Sequence, residues 1–268
     1  MWREYNRLGM HSRPGRMERL VDVGGRRLWT CVTGEGAPTV VFEAGGGDDS
    51  SVWTTIEAEV RRRDGVTTLV YDRAGLGKSD PPPEGEYRIG DEAAALQRVL
   101  DVLSPAEAVV LVAHSYGGFL ATLVAGDPRV AGVVLVDANL PAYFDEAVAE
   151  RLVATYTPQF PELERRAPDL ARVMIPLMRA YPDTARDVRA VDYPTTLPTI
   201  DIVAERSWGE TTDDNNDMHR VHADFVAAAP EARELVLARG SGHYVMQDRP
   251  EVVLDAVARM IERVRTAG

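Results

Sequence analysis

The sequence predicts an α/β protein, a doubly wound and mostly parallel sheet with an inserted helical cap. Three observations carry this prediction. Short runs rich in Val, Leu and Ile recur at 39–42 (TVVF), 67–71 (TTLVY), 108–112 (AVVLV), 133–136 (VVLV), 199–203 (TIDIV) and 234–238 (ELVLA). Such near-continuous apolar runs fit strands covered on both faces, as in a parallel sheet. Helical patterns lie between them, so strand and helix alternate. The alternation stops over residues 140–196, which are helix-like, proline-rich and aromatic.

Taken in order, residues 1–17 read as an N-terminal arm. Residues 18–23 and 27–32, separated by Gly24-Gly25, read as an antiparallel hairpin entering the sheet, which makes that edge mixed. The runs at 39–42 and 67–71 are the first buried strands. Residues 89–103 place apolar side chains at helical spacing, 108–112 is the next strand, and 116–125 forms a helix after a turn of small residues. After the strand at 133–136, residues 140–196 form the cap. The strands at 199–203 and 234–238 then lead to a final helix over 250–264, with proline at its first position. The core is therefore expected to comprise residues 18–139 and 197–268.

Composition narrows the function. In 268 residues, 30 Lys and Arg face 42 Asp and Glu, for a net charge of −12, and such a surface repels phosphate backbones and anionic headgroups. Nucleic acid and membrane partners are not expected. The one cysteine, Cys31, excludes an intrachain disulfide, offers no zinc or iron–sulfur cluster, and reads as a small core residue. The first twenty residues lack the apolar run of a signal peptide, and no segment approaches the ~18 uncharged apolar residues of a membrane span, so a cytoplasmic location is expected.

The stretch 109–121, VVLVAHSYGGFLA, carries the chemistry. It reads as a buried strand, a serine between small residues, and a helix. A turn this tight holds its central residue in a strained conformation and demands small neighbours. Ala113 and Gly117 meet that need around Ser115, although alanine departs from the first glycine of G-x-S-x-G.

At this point the chain resembles the α/β-hydrolase superfamily over most of residues 18–268 outside the cap. VVFEAGGGDDSSVW (40–53) resembles the strand and loop that supply half of an oxyanion hole, and YDRAGLGKSD (71–80) resembles the D-x-R-G-x-G-x-S turn. GSGHYVMQDRPEVV (240–253) resembles the late loop carrying a catalytic histidine. The resemblance implies an α/β-hydrolase fold and oxyanion donors at the N–H groups of Gly46 and Tyr116, with a one-residue slip left open within Gly45-Gly46-Gly47. Asp72 and Arg73 read as braces of the loop beside that strand, and Asp48 and Asp49 as solvated loop residues, with contact to a positively charged substrate as their alternative.

A general base must titrate near neutral pH, which favours histidine. His11 lies in the arm, His114 is expected to point away from the nucleophile, and His219 and His222 read as solvated helix residues. His243 remains, in the order serine then histidine that the resemblance implies. The superfamily usually places its acid after the strand at 199–203, where Glu205 is the nearest carboxylate and Asp213, Asp214 and Asp217 lie farther along. Some members use the preceding strand instead, and there Asp137 stands in VVLVDAN. Asp137 is preferred, with Glu205 as the alternative acid.

The expectation is a serine hydrolase that cleaves a small or medium uncharged ester, thioester, lactone or amide through an acyl-enzyme on Ser115. An acyltransferase or lyase with the same triad, or a ligand-binding module with little turnover, is the alternative. No cofactor or metal is required. The expected partner is a small-molecule substrate, and the chain is expected to be a monomer or homodimer. Trp53, Phe144, Tyr156 and Met178 are expected at the substrate pocket, with Trp208 at its border.

Overall fold

Among the residues described by the structure, a computed structural model covering 15–82, 85–104, 108–207 and 212–267, eight strands form one sheet. They are β1 (Arg16–Asp22), β2 (Arg27–Thr33), β3 (Thr39–Glu43), β4 (Thr67–Tyr71), β5 (Val109–His114), β6 (Val130–Val136), β7 (Thr199–Ala204) and β8 (Arg233–Ala238). Their order is β1-β2-β4-β3-β5-β6-β7-β8. The β1–β2 hairpin and the β2–β4 pair are antiparallel, and every other pair is parallel, so the mixed edge lies where the sequence predicts it.

Helices cover both faces: α1 (Thr54–Asp64) and α10 (Pro250–Ala267) on one, α2 (Ile89–Leu103), α3 (Gly117–Val124) and α8 (Thr212–Ala227) on the other. The strands alternate between two core layers for this reason. On β5, Val109, Leu111 and Ala113 pack with Leu96, Phe119 and Leu120, whereas Val110 and Val112 pack with Ile56, Val257 and Ile261. Fully burying one such large side chain contributes ~1.5–3 kcal/mol, which is why the central strands carry almost no polar residues.

Between β6 and β7 the chain runs through α4 (Glu146–Tyr156), α5 (Phe160–Arg166), α6 (Pro168–Arg179) and α7 (Tyr181–Arg189). Asp145 starts α4 by accepting a hydrogen bond from the Val148 N–H at 2.8 Å, satisfying one of the donors that a helix start leaves open. These helices press onto the carboxyl ends of the strands. At Gly75, whose φ is +79°, a Cβ would lie 2.5 Å from Val173 Cγ2 of α6, so only glycine fits both the turn and the contact.

Two sequence expectations change here. Phe144 lies in the core, fully buried edge-on to Phe119 at 5.2 Å and beside Tyr181 at 5.4 Å, because it fills the seam between α7 of the cap and α3. Trp53 closes the short 3-10 turn before α1 and points inward onto Phe42, with no exposed surface. Cys31 is buried on β2. His11 and Trp208 lie outside the described residues. Among the described residues no helix is long and apolar enough to cross a membrane.

Candidate active site

The site is built where β5 and β6 end side by side, with His114 in register with Val136. Among the described residues two that are not glycine adopt positive φ, and both stand at these strand ends: Ser115 at 52° and Asp137 at 43°. Such conformations cost of order 1–3 kcal/mol each and persist only where the surroundings enforce them. The Ser115 carbonyl is fixed by the N–H groups of Gly118 at 2.9 Å and Asn139 at 2.8 Å. The next turn leaves no room for a side chain. A Cβ on Gly117 would lie 2.7 Å from Glu43 Cγ, and one on Gly118 would lie 2.7 Å from the Ala138 Cβ.

Asp137 is fully buried. Its Oδ1 accepts the Ala204 N–H at 2.9 Å, and its Oδ2 accepts the Ser207 hydroxyl at 2.8 Å and lies 2.6 Å from His243 Nδ1. Burial by itself would raise the carboxyl pKa, but these donors and the adjacent imidazole outweigh it and hold Asp137 below the usual carboxylate range. His243 sits on the loop between β8 and the short helix α9 (Val245–Asp248). That loop is tied down by Glu205, whose Oε2 accepts the Gly240 N–H at 2.9 Å, and by Asp248, whose Oδ2 accepts the Gly242 N–H at 2.7 Å. Asp137 therefore meets His243, while Glu205 braces the backbone of the same loop.

Arg73 organises the loop after β3. Its buried guanidinium pairs with Glu43 and donates to the carbonyl oxygens of Ala44, Gly45 and Gly46. Because C=O and N–H point in opposite directions across a trans peptide, this clamp turns the following amides, including the Gly46 N–H, away from Arg73. Gly46 lies beside Tyr116, where a Cβ would be 3.6 Å from the Tyr116 Cβ. Asp72 accepts the N–H groups of Ser50 and Lys78, both at 2.9 Å, and braces the neighbouring turns.

A cavity of about 880 Å³ lies over these residues, with Ser115, Tyr116, His243 and Gly46 on its floor. Tyr156 and Met178 line its wall together with Leu152, Leu163, Met174 and Leu177. Trp53 and Phe144 are not among the lining residues.

Sequence reasoning missed or misread several residues. His114, given no role from the sequence, lies almost wholly buried beneath the cavity floor, its ring 4.6 Å from His243 and 5.2 Å from Tyr244. Asp48, read as a solvated loop residue, is partly buried at the cavity beside Tyr244. His222, read as solvated, is fully buried in α8, its Nδ1 2.8 Å from Asp201 Oδ2, and His219 Nε2 donates to the Ala204 carbonyl at 2.7 Å. An aspartate inside the apolar run 199–203 was the available signal for a buried partner.

Comparison with known proteins agrees with this architecture. The chain is 35% identical over 113 residues to the probable transporter efuK of Hormonema carpetanum, a match covering 40% of this chain and 15% of that protein, so this chain spans a small part of that relative. It is 26% identical over 285 residues to the uncharacterized protein Rv2715 of Mycobacterium tuberculosis (strain ATCC 25618 / H37Rv), covering 91% of this chain and 81% of that one. Its fold is similar to that of E-2-(acetamidomethylene)succinate hydrolase, with a TM-score of 0.65 and 24% identity over 92% of this chain and 99% of the other. The sequence pattern of one family runs from residue 40 to residue 256, through the strand ends, the serine turn and the late histidine loop, and on that span the chain belongs to the alpha/beta hydrolase family.

Proposed function

We propose that the protein is a serine hydrolase acting on a small or medium uncharged ester, thioester, lactone or amide through an acyl-enzyme on Ser115. One observation carries this reading: the strained Ser115 shares a cavity floor with His243, whose Nδ1 is 2.6 Å from the buried Asp137. With the Nδ1 proton directed at Asp137, His243 Nε2 presents a lone pair for the Ser115 hydroxyl proton.

Ser115 Oγ attacks the substrate carbonyl carbon as His243 takes its proton. The developing oxyanion accepts hydrogen bonds from the N–H groups of Gly46 and Tyr116, the second at the start of α3 where helix N–H groups are unpaired. The bond to the leaving group breaks, and His243 returns the proton to it. Water then gives a proton to His243 as it attacks the acyl carbon, the bond from that carbon to Ser115 Oγ breaks, and His243 returns the proton to Oγ, releasing the acid. The apolar cavity wall suits an acyl or leaving group of modest size. Hydrolase chemistry named for a protein of similar fold supports the reaction class.

A fluorophosphonate probe and a p-nitrophenyl ester test the reading. The wild type is expected to be labelled and to release nitrophenolate, and Ser115→Ala to do neither. A wild type that is neither labelled nor active on short-chain esters refutes it.

A further inference from the structure

We propose that Asp48, backed by His114, forms a donor-recognition subsite beside the nucleophile, so that the acyl part of the substrate carries a hydroxyl or a protonated amine. This rests on the serine hydrolase reading and refines its substrate: the ester, thioester, lactone or amide group that reacts is uncharged, and the acyl chain beside it carries the donor.

The His114 side chain is 1% exposed, and its Nε2 lies 3.1 Å from the His243 carbonyl oxygen. A carbonyl oxygen only accepts, so Nε2 carries the proton and Nδ1 carries the lone pair. That Nδ1 is buried and has no hydrogen-bond partner. The nearest carboxylate oxygen, Asp48 Oδ2, is 4.0 Å away and is itself an acceptor. Burial, followed by the neighbouring His243, holds His114 neutral, its pKa pushed down to about 3, so His114 does not supply the proton that Asp48 lacks.

Asp48 keeps 22% of its side chain exposed and lines the cavity with Ser115 and His243. Its one hydrogen-bond donor among the described side chains is the Tyr244 hydroxyl, 3.3 Å from Oδ1 and 3.4 Å from Oδ2, both long. Among the described residues no lysine or arginine forms an ion pair with it. A partly desolvated carboxylate with so few protein donors draws its remaining hydrogen bonds from water or from a ligand in the cavity.

Gly45 marks the place. It does not have a positive φ, so its backbone does not require glycine. A Cβ there would lie 2.8 Å from Asp48 Oδ2, 3.0 Å from His114 Nδ1 and 3.4 Å from Ser115 Cβ. The absent side chain lets the carboxylate and the buried imidazole nitrogen close in on the Gly45 backbone, which brings Asp48 Oδ2 beside the nucleophile at the edge of the cavity. A donor on the carbon chain of an acyl group held on Ser115 reaches Asp48 from the cavity that both residues line, whereas an anionic group is repelled.

Four esters test the subsite on the intact protein: p-nitrophenyl butyrate, its β-hydroxy and β-amino derivatives, and the hemisuccinate. Wild type is expected to show kcat/KM about tenfold or more higher for the hydroxy and amino esters than for butyrate, the ratio that a hydrogen bond to a charged group supplies, and a lower value for the hemisuccinate. In Asp48→Ala the preference is expected to fall to about twofold or less. Asp48→Asn keeps an acceptor but no charge, so it is expected to retain the hydroxy preference and lose the amino one. Equal wild-type rates on all four esters, or a preference that survives Asp48→Ala in a protein of unchanged thermal midpoint, overturn the subsite alone. No turnover of any ester together with no fluorophosphonate labelling overturns the hydrolase reading and the subsite with it.

Discussion

Asp137→Asn is the most demanding test of the proposed triad, because the structure dictates how the amide must sit. Asp137 accepts on both oxygens: the Ala204 N–H on Oδ1, and Ser207 Oγ and the His243 ring on Oδ2. An asparagine has one acceptor oxygen and one donor nitrogen. If its oxygen turned toward His243, its NH2 would face the buried Ala204 N–H donor to donor, at a cost of ~1–3 kcal/mol for each unsatisfied group. The oxygen therefore stays with Ala204 and the NH2 faces His243 Nδ1. The imidazole must then accept at Nδ1 and carry its proton on Nε2, the tautomer that cannot take the Ser115 proton. A mis-set tautomer of this kind lowers kcat by about 10⁴-fold in a serine triad, or ~5 kcal/mol of transition-state stabilisation. The assay is the initial rate of p-nitrophenyl butyrate hydrolysis, read beside thermal midpoints to exclude unfolding. Glu205→Gln is the control, since its amide oxygen still accepts the Gly240 N–H, and its rate is expected within about threefold of wild type. An Asp137→Asn enzyme within tenfold of wild type, or a collapse confined to Glu205→Gln, refutes the reasoning.

Three further outcomes concern stability. Gly117→Ala, which elsewhere in a helix would gain ~0.5–1 kcal/mol, is expected to lose ~1–3 kcal/mol in urea melts because its Cβ meets Glu43 Cγ at 2.7 Å and the Ala44 carbonyl at 3.0 Å; Gly126→Ala, with nothing within 4 Å, should change little. His114 resists protonation in the folded state down to about pH 3, while the unfolded chain takes up that proton near 6.5. Stability is therefore lost as pH falls between those values, by up to ~1.4 kcal/mol per unit, and the His114→Gln melts should show a shallower acid slope; an unchanged slope counts against the buried neutral ring. His222 behaves in the opposite sense. Burial opposes its charge, but Asp201 outweighs burial and raises its pKa, so its contribution is complete below pH ~6.5 and is lost as pH rises through the raised value. His222→Ala leaves Asp201 buried without its partner and is expected to cost ~3–5 kcal/mol at pH 6, a figure that a urea titration of the variant checks directly.

What could be read from the sequence alone is what depends on neighbours in the chain. The buried runs were legible because both faces of a parallel strand are apolar, as β5 shows, and Ser115 was legible because the small residues its turn demands, Ala113 and Gly117, lie beside it in the chain, although Glu43 and Ala138, which crowd that turn, do not. The family likeness added the late histidine loop, and the family match extends through it. What required the tertiary structure is what depends on residues far apart. Asp137 and His243 stand 106 positions apart, and Tyr244 and Asp48 stand 196 apart; no periodicity links such pairs. The pocket was hidden for the same reason. Tyr156 and Met178 face the cavity whereas Phe144 and Trp53 fill the core, although all four are large and apolar or aromatic, because hydrophobicity sets that a side chain leaves water and packing alone sets which surface it meets.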